Sequence, residues 1–159
     1  MKKENIEKQT ESAKTERTFV MIKPDGVQKK LVGEVIKRIE STGLIIEEMM
    51  ISRFDKDICK KFYHEAISKF PWMEKEIIEY ITGGKIVALI VEGHDAVNKV
   101  RSIRGTANPS KSPIGTIRGD FAGHLDSDLL TSQKKLTRNI IHSSGSKEEA
   151  EMEIKIVFD

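Results

Sequence analysis

Apolar residues recur along this chain with two different periods, and stretches with neither period separate them. Phe19 to Ile22 is a continuous apolar run stopped by Lys23-Pro24-Asp25-Gly26, which predicts a buried strand ending in a turn. Leu31, Val32, Val35, Ile36 and Ile39 then recur at helical spacing among Lys, Arg and Glu, with Gly43 as the stop. Leu44 to Phe54 reads as a second strand. Asp55 is placed to cap a helix with Ile58, Phe62 and Ala66 on its apolar side. Pro71 starts another helix carrying Ile77, Ile78 and Ile81 up to the Gly83-Gly84 break. Ile86 to Val91 is a short buried strand, followed by a helix over about residues 95–103.

Residues 105 to about 135 show little periodicity and far exceed the usual connection of about four to six residues, the length expected of a functional loop. The polar segment Gly123 to Lys135 is the one stretch that reads as a possible linker. A last apolar segment, Asn139 to Ile141, ends in His142, and a final helix starts from Ser146, with Glu149 completing a capping box. In order, these elements form two β-α-β units in tandem. They predict an α+β sandwich with helices on one face of a mainly antiparallel sheet.

Composition narrows the function classes. With 159 residues, 38% apolar and 33% charged, the chain suits one soluble domain, and no apolar run approaches the roughly 20 residues of a membrane span. The domain is expected over residues 17–159. Met1 to Glu16 alternates Lys with Glu and lacks the apolar segment of a secretory signal, so a polar tail is expected there. A single Cys59 cannot form an internal disulfide, which makes the cytoplasm the default compartment. The formal charge of +2 is too small to argue nucleic-acid binding, but it leaves room for a local basic pocket.

Neither G-x-x-x-x-G-K-[ST] nor G-x-G-x-x-G occurs, so a bound nucleotide must be held by side chains. The histidines, His64, His94, His124 and His142, are too far apart for a helical metal pair, and no protein-held metal is expected. His142 carries the most information. It precedes Ser143-Ser144-Gly145 and a helix start, whose backbone N–H groups attract phosphate, and a neutral imidazole is a nucleophile that needs no deprotonation. The competing reading is a partly buried histidine bonded to the backbone. Lys23, the pair Arg101 and Arg104, and Arg118 suit phosphate clamps, although each alone also suits a solvated surface. Trp72 and Tyr63 offer π-faces to a base or serve as core, and Glu153 either orients His142 or Ser144 or faces solvent.

Spacing alone leaves these alternatives open. Four segments in order, Arg17-Thr-Phe-Val-Met-Ile-Lys-Pro-Asp-Gly-Val27, Leu31-Val-Gly-Glu34, Pro113-Ile-Gly-Thr-Ile-Arg-Gly-Asp-Phe121 and Asn139-Ile-Ile-His142, resemble the nucleoside diphosphate kinase family from about Arg17 onward. The resemblance implies a ferredoxin-like fold with a four-stranded sheet, assembled as a tetramer or hexamer. By the same resemblance, His142 is the phosphorylated histidine, supported by Ser144 and Glu153. Lys23, Arg101, Arg118 and Asn139 hold phosphates and ribose, and Tyr63 lines the pocket. Trp72 stacks on the base, with Leu136 on its other side. The implied reaction is ping-pong transfer between nucleoside tri- and diphosphates, with Mg²⁺ held by the phosphates rather than by the protein.

Three departures stand out. Ala107 occupies the position of a phosphate-binding threonine, and Thr106 lies one residue early, a lost donor worth about 1.5–3 kcal/mol if fully used. The segment from Ala122 to Thr137 is longer than the family's usual link and would lie beside the base pocket. Gly145 replaces a common acid, and ending at Asp159 leaves out an extension that some members use in subunit contacts, so the assembly state is open. Two competing functions are a nucleotide-binding or regulatory module without turnover, and a hydrolase pairing Ser144 with His142. The hydrolase lacks a G-x-S-x-G elbow.

Overall fold

The computed structural model describes residues 15–159. Of the polar N-terminal segment, only Thr15 and Glu16 fall within it, and both belong to strand β1, Thr15–Ile22. The elements that follow are α1 (Pro24–Gln28), α2 (Val32–Glu40), β2 (Ile45–Ser52), α3 (Lys56–Phe62), α4 (His64–Lys69) and α5 (Met73–Thr82). Strand β3 (Ile86–His94), α6 (Ala96–Arg104), a 3₁₀ turn (Pro109–Lys111), α7 (Ile117–Ala122), α8 (Ser127–Ser132), β4 (Ile141–Ser143) and α9 (Lys147–Phe158) complete the chain.

The sheet runs β2-β3-β1-β4, with every neighbouring pair antiparallel. This is the expected α+β architecture, but helices cover both faces of the sheet instead of one. The cause lies in the central strands, where Phe19, Val20, Met21 and Ile22 are all fully buried, so successive side chains need cover on opposite sides. Val20, Ile22, Val87, Leu89 and Val91 pack with Val35, Ile39, Val100 and Ile117. Phe19, Met21, Ala88 and Ile90 pack with Cys59, Ile77, Ile81 and Ile154. Fully burying one such side chain contributes about 1.5–3 kcal/mol.

Local signals explain several boundaries. The Asp55 carboxylate accepts from the Ile58 N–H and starts α3, and Gly43, at φ +80°, turns the chain after α2. Two segments differ from the pattern. Residues 105–135 hold three short helical pieces, capped by Asn108, Thr116 and Asp126. The possible linker is tied down, since Asn108 Nδ2 donates to Asp126 and Asp128, and Lys111 pairs with Asp128 at 2.8 Å. Their polar composition and few apolar positions hid these turns from a periodicity argument. The last strand also begins at Ile141 rather than Asn139, because Ile140 takes a left-handed φ of +75°.

Candidate active site

His142 projects from the short strand β4, which is bonded along one edge to Val20, Met21 and Ile22 of β1. Its ring packs against Phe62 (5.1 Å between centroids) and Phe19 (6.1 Å), and 20% of the side chain stays exposed. Nε2 lies 2.6 Å from Glu153 Oε1. The other Glu153 oxygen accepts from Ser144 Oγ at 2.5 Å, and Ser144 is anchored to the Phe19 backbone through its N–H (3.1 Å). Of the predicted support pair, Glu153 therefore contacts the histidine directly, and Ser144 reaches it only through Glu153. Burial raises the Glu153 pKa, and the hydrogen bond from Ser144 acts against that rise. Burial, and then the charge of Lys23, push the His142 pKa well below its usual value and keep the ring neutral. With Nε2 facing a carboxylate, the ring proton belongs there, and Nδ1 keeps its lone pair. Among the described residues, Nδ1 makes no hydrogen bond.

The α9 start departs from the expected capping box in one bond. Ser146 Oγ accepts from the Glu149 N–H as predicted, but the Glu149 carboxylate accepts from Gly145 N instead of the cap residue's own N–H.

Lys23, Arg118 and Arg104 all act electrostatically on His142. Lys23, at the end of β1, is 8% exposed and donates to Asn139 Oδ1 at 2.8 Å. Arg118, 6% exposed on α7, donates to the carbonyls of Thr106 (2.9 Å) and Ile141 (2.8 Å), while its buried Nε–H has no partner among the described residues. Arg104 grips Ser143 through its carbonyl (3.2 Å) and hydroxyl (3.0 Å), and Arg101 donates to the Gly145 carbonyl at 3.2 Å. Among the described residues, none of these four forms an ion pair. Burial, and then the Arg118 charge, lower the Lys23 pKa to about 7. Burial, and then Arg104, lower that of Arg118 to about 9. Unpaired charges held this deep cost several kcal/mol unless an anion joins them.

Tyr63 and Leu136 reach the same place, lining one cavity with Lys23, Asn139, Met73, Ile77, Thr131 and Thr137. The Tyr63 hydroxyl is buried without a partner among the described residues. Two predicted contributors lie elsewhere. Trp72 lines a separate recess with Lys56, Pro71 and Ile78, so the structure does not bring it to Lys23 and Asn139. The Thr106 hydroxyl turns into its own loop, donating to the Asn108 carbonyl (2.8 Å) and meeting Ser112 Oγ at 3.1 Å, so it does not replace the hydroxyl missing at Ala107. Reading the sequence missed Met73, Thr131 and Thr137 as lining residues, because short polar or single apolar side chains in an aperiodic stretch carry no distinguishing signal.

A metal-sized grouping does exist, in that ligand atoms of His142, Glu149 and Glu153 lie within 4.8 Å of one another. Two of the three are already bonded to each other, which favours the orienting role over ligation.

The comparisons with known proteins agree with this geometry. Residues 16–159 match the family model described as nucleoside diphosphate kinase. The nucleoside diphosphate kinase of Methanocaldococcus jannaschii is 41% identical over 143 residues, 90% of this chain and 93% of that protein. That of Saccharolobus islandicus is 40% identical, covering 91% and 95% respectively. Among solved structures, a transition-state mimic of the Borrelia burgdorferi nucleoside-diphosphate kinase with bound vanadate and ADP superposes with a TM-score of 0.84 at 29% identity, covering 92% of this chain and 89% of that one. An NDP kinase from Pyrobaculum aerophilum gives 0.79 at 28% identity, covering 91% and 96%. The chain therefore belongs to the nucleoside diphosphate kinase family.

Proposed function

We propose that this phosphotransferase moves the γ-phosphoryl group from a nucleoside triphosphate to a nucleoside diphosphate through a phosphohistidine at His142. The observation that carries the reading is a neutral His142 ring, bonded to Glu153 through Nε2 and leaving Nδ1 without a hydrogen bond among the described residues, within electrostatic reach of the buried cations Lys23 and Arg118. Nδ1 attacks the γ-phosphorus, and the bond from phosphorus to the β–γ bridging oxygen breaks, its electron pair leaving with the diphosphate. The ring gains positive charge as the N–P bond forms, and Glu153 at Nε2 balances it. A β-phosphate oxygen of the acceptor then attacks the phosphorus, and the N–P bond breaks. No general base is needed at Nδ1, because a neutral ring protonated on Nε2 presents a lone pair there.

Lys23, Arg118, Arg101 and the neighbouring Arg104 hold phosphate oxygens, with Asn139 and Tyr63 as hydrogen-bonding partners. Mg²⁺ would come with the nucleotide, held by the substrate and not by the protein, and would supply neutralising charge there. Asp25, the carboxylate next to Lys23, has both oxygens engaged by Tyr80 and Ile140, so it leaves the metal to the substrate. The nucleoside faces Leu136, Met73 and Ile77 in the cavity beyond.

A homo-oligomer suits the exposed strand β2. Among the described residues it pairs only with β3, and Ile45, Met49 and Ile51 are 68%, 56% and 65% exposed, an edge that a second copy would cover. No helix among the described residues is long and apolar enough to cross a membrane. Cys59, buried and single, supports the cytoplasm as the compartment. The small net charge supports free nucleotides over nucleic acid as partners.

Initial rates measured with ATP and a diphosphate acceptor both varied test the reading. Parallel double-reciprocal lines are expected, with transfer abolished in His142→Ala. Intersecting lines, or a His142→Ala variant that still transfers, would replace the phosphohistidine route with direct transfer.

A further inference from the structure

Two residues before His142, Ile140 adopts φ +75°, although it is β-branched and fully buried. A residue of this type in the left-handed region is strained, and such a conformation persists only where its surroundings enforce it. One turn does so here. The Lys23 N–H donates to the Ile140 carbonyl at 2.8 Å, and the Ile140 N–H donates to Asp25 Oδ2 at 3.0 Å, so both peptide groups of Ile140 are held from the junction between β1 and α1. Gly26 closes the contact from below, since a Cβ there would come within 2.9 Å of the Ile140 carbonyl oxygen. Asp25 is itself 8% exposed, and its second oxygen accepts from the hydroxyl of Tyr80, a residue 5% exposed on α5.

We propose that Asp25 is a positioning residue for phosphoryl transfer, holding Ile140 in its left-handed conformation so that His142 meets Glu153 through Nε2 and turns Nδ1 toward the cations. Tyr80 acts one step further out, fixing the Asp25 carboxylate. The chain must leave the Asn139 position, where Lys23 Nζ holds the side chain, and enter β4 within two residues. Without the acceptor for its N–H, Ile140 relaxes toward ordinary strand geometry, and the ring beyond it rotates away from its carboxylate. This rests on the reading of His142 as the nucleophile. The two ideas fail separately, because a natural protein that never becomes phosphorylated defeats the nucleophile, whereas the Asp25 role is judged against a natural protein that does.

The test is rapid-quench single-turnover phosphorylation by ATP–Mg²⁺, with ADP affinity measured by calorimetry, for Asp25→Ala, Asp25→Asn and Tyr80→Phe. Asp25→Ala should slow phosphorylation by about 10²-fold or more while leaving ADP affinity nearly unchanged, since a small misplacement of the reacting atom has that effect. Asp25→Asn should stay close to the natural rate, because its amide oxygen still accepts from Ile140 and its NH₂ can donate to Tyr80. Tyr80→Phe should lose about tenfold, the loss of one hydrogen bond. Equal losses in Asp25→Ala and Asp25→Asn would assign the effect to charge near Lys23 and overturn the proposal. So would a natural rate in Asp25→Ala, or a parallel loss of ADP affinity. If Asp25→Ala does not fold, Tyr80→Phe decides, and a natural rate there overturns the proposal.

Discussion

His142 stands between two unlike neighbourhoods. On one side, Glu153 and Ser144 satisfy each other and the ring, with both carboxylate oxygens in use. On the other, among the described residues, Lys23 and Arg118 are buried without an ion pair, and the Arg118 Nε–H has no acceptor. The first arrangement is complete without ligand and serves to aim the ring. The second is complete only when an anion arrives, so the protein carries an electrostatic cost that its substrate removes. A site of this kind gives up stability for binding, and each side responds differently to substitution.

The largest effect is expected on the open side. If Lys23 pairs with a substrate phosphate as proposed, Lys23→Met should lower kcat/KM by about 10²–10³-fold, the usual cost of losing one charge-stabilising donor. The melting temperature of the ligand-free protein should hold or rise, because an apolar side chain replaces a desolvated ammonium. Calorimetric melting checks the second half, and a clear drop in Tm would mean that Lys23 is stabilising even without ligand.

On the closed side the balance reverses. Glu153→Gln keeps a hydrogen-bond partner but removes the charge that balances the phosphorylated ring, so kcat should fall by about 10–100-fold while KM changes little. Steady-state kinetics separate the two parameters. An effect confined to KM would place Glu153 in substrate binding and erase the contrast between the sides.

The pH response is subtler and comes from Lys23. Its pKa of about 7 in the ligand-free fold lies below the ordinary 10.5, so the unfolded chain holds a proton that the fold has released between those values. The Lys23 contribution to stability therefore rises with pH across that window. Nucleotide phosphates restore the charge, so ADP binding takes up a proton above about pH 7, and affinity should weaken by up to about tenfold per pH unit there. Titrations at pH 8 in two buffers of different ionisation enthalpy measure the uptake. Its persistence in Lys23→Met would assign the proton to another group.

Much of this contrast was legible in the sequence. The apolar run Phe19–Ile22 ending in Lys23 predicted a strand with a cation at its tip, and the family resemblance of Asn139 to His142 singled out the histidine that the structure sets against Glu153. What stayed hidden depends on backbone conformation and on contacts between distant segments. The left-handed Ile140 leaves no trace in a β-favouring residue type, and Asp25 looks like a turn former until its carboxylate is seen on Ile140, 115 residues away. Trp72 shows the opposite failure. Its place after Pro71 suggested a base platform, but its helix turns it to a separate recess. The polar insertion was readable as an insertion, but its attachment through Asn108 to Asp126 and Asp128 required the fold.

Intact mass after brief exposure to ATP and Mg²⁺, kept at neutral to alkaline pH, tests the central claim most directly. The natural protein should gain one phosphoryl group and lose it on addition of GDP, and His142→Ala should do neither. A natural protein that binds ATP yet never gains that mass, or a His142→Ala variant that does gain it, would contradict the account.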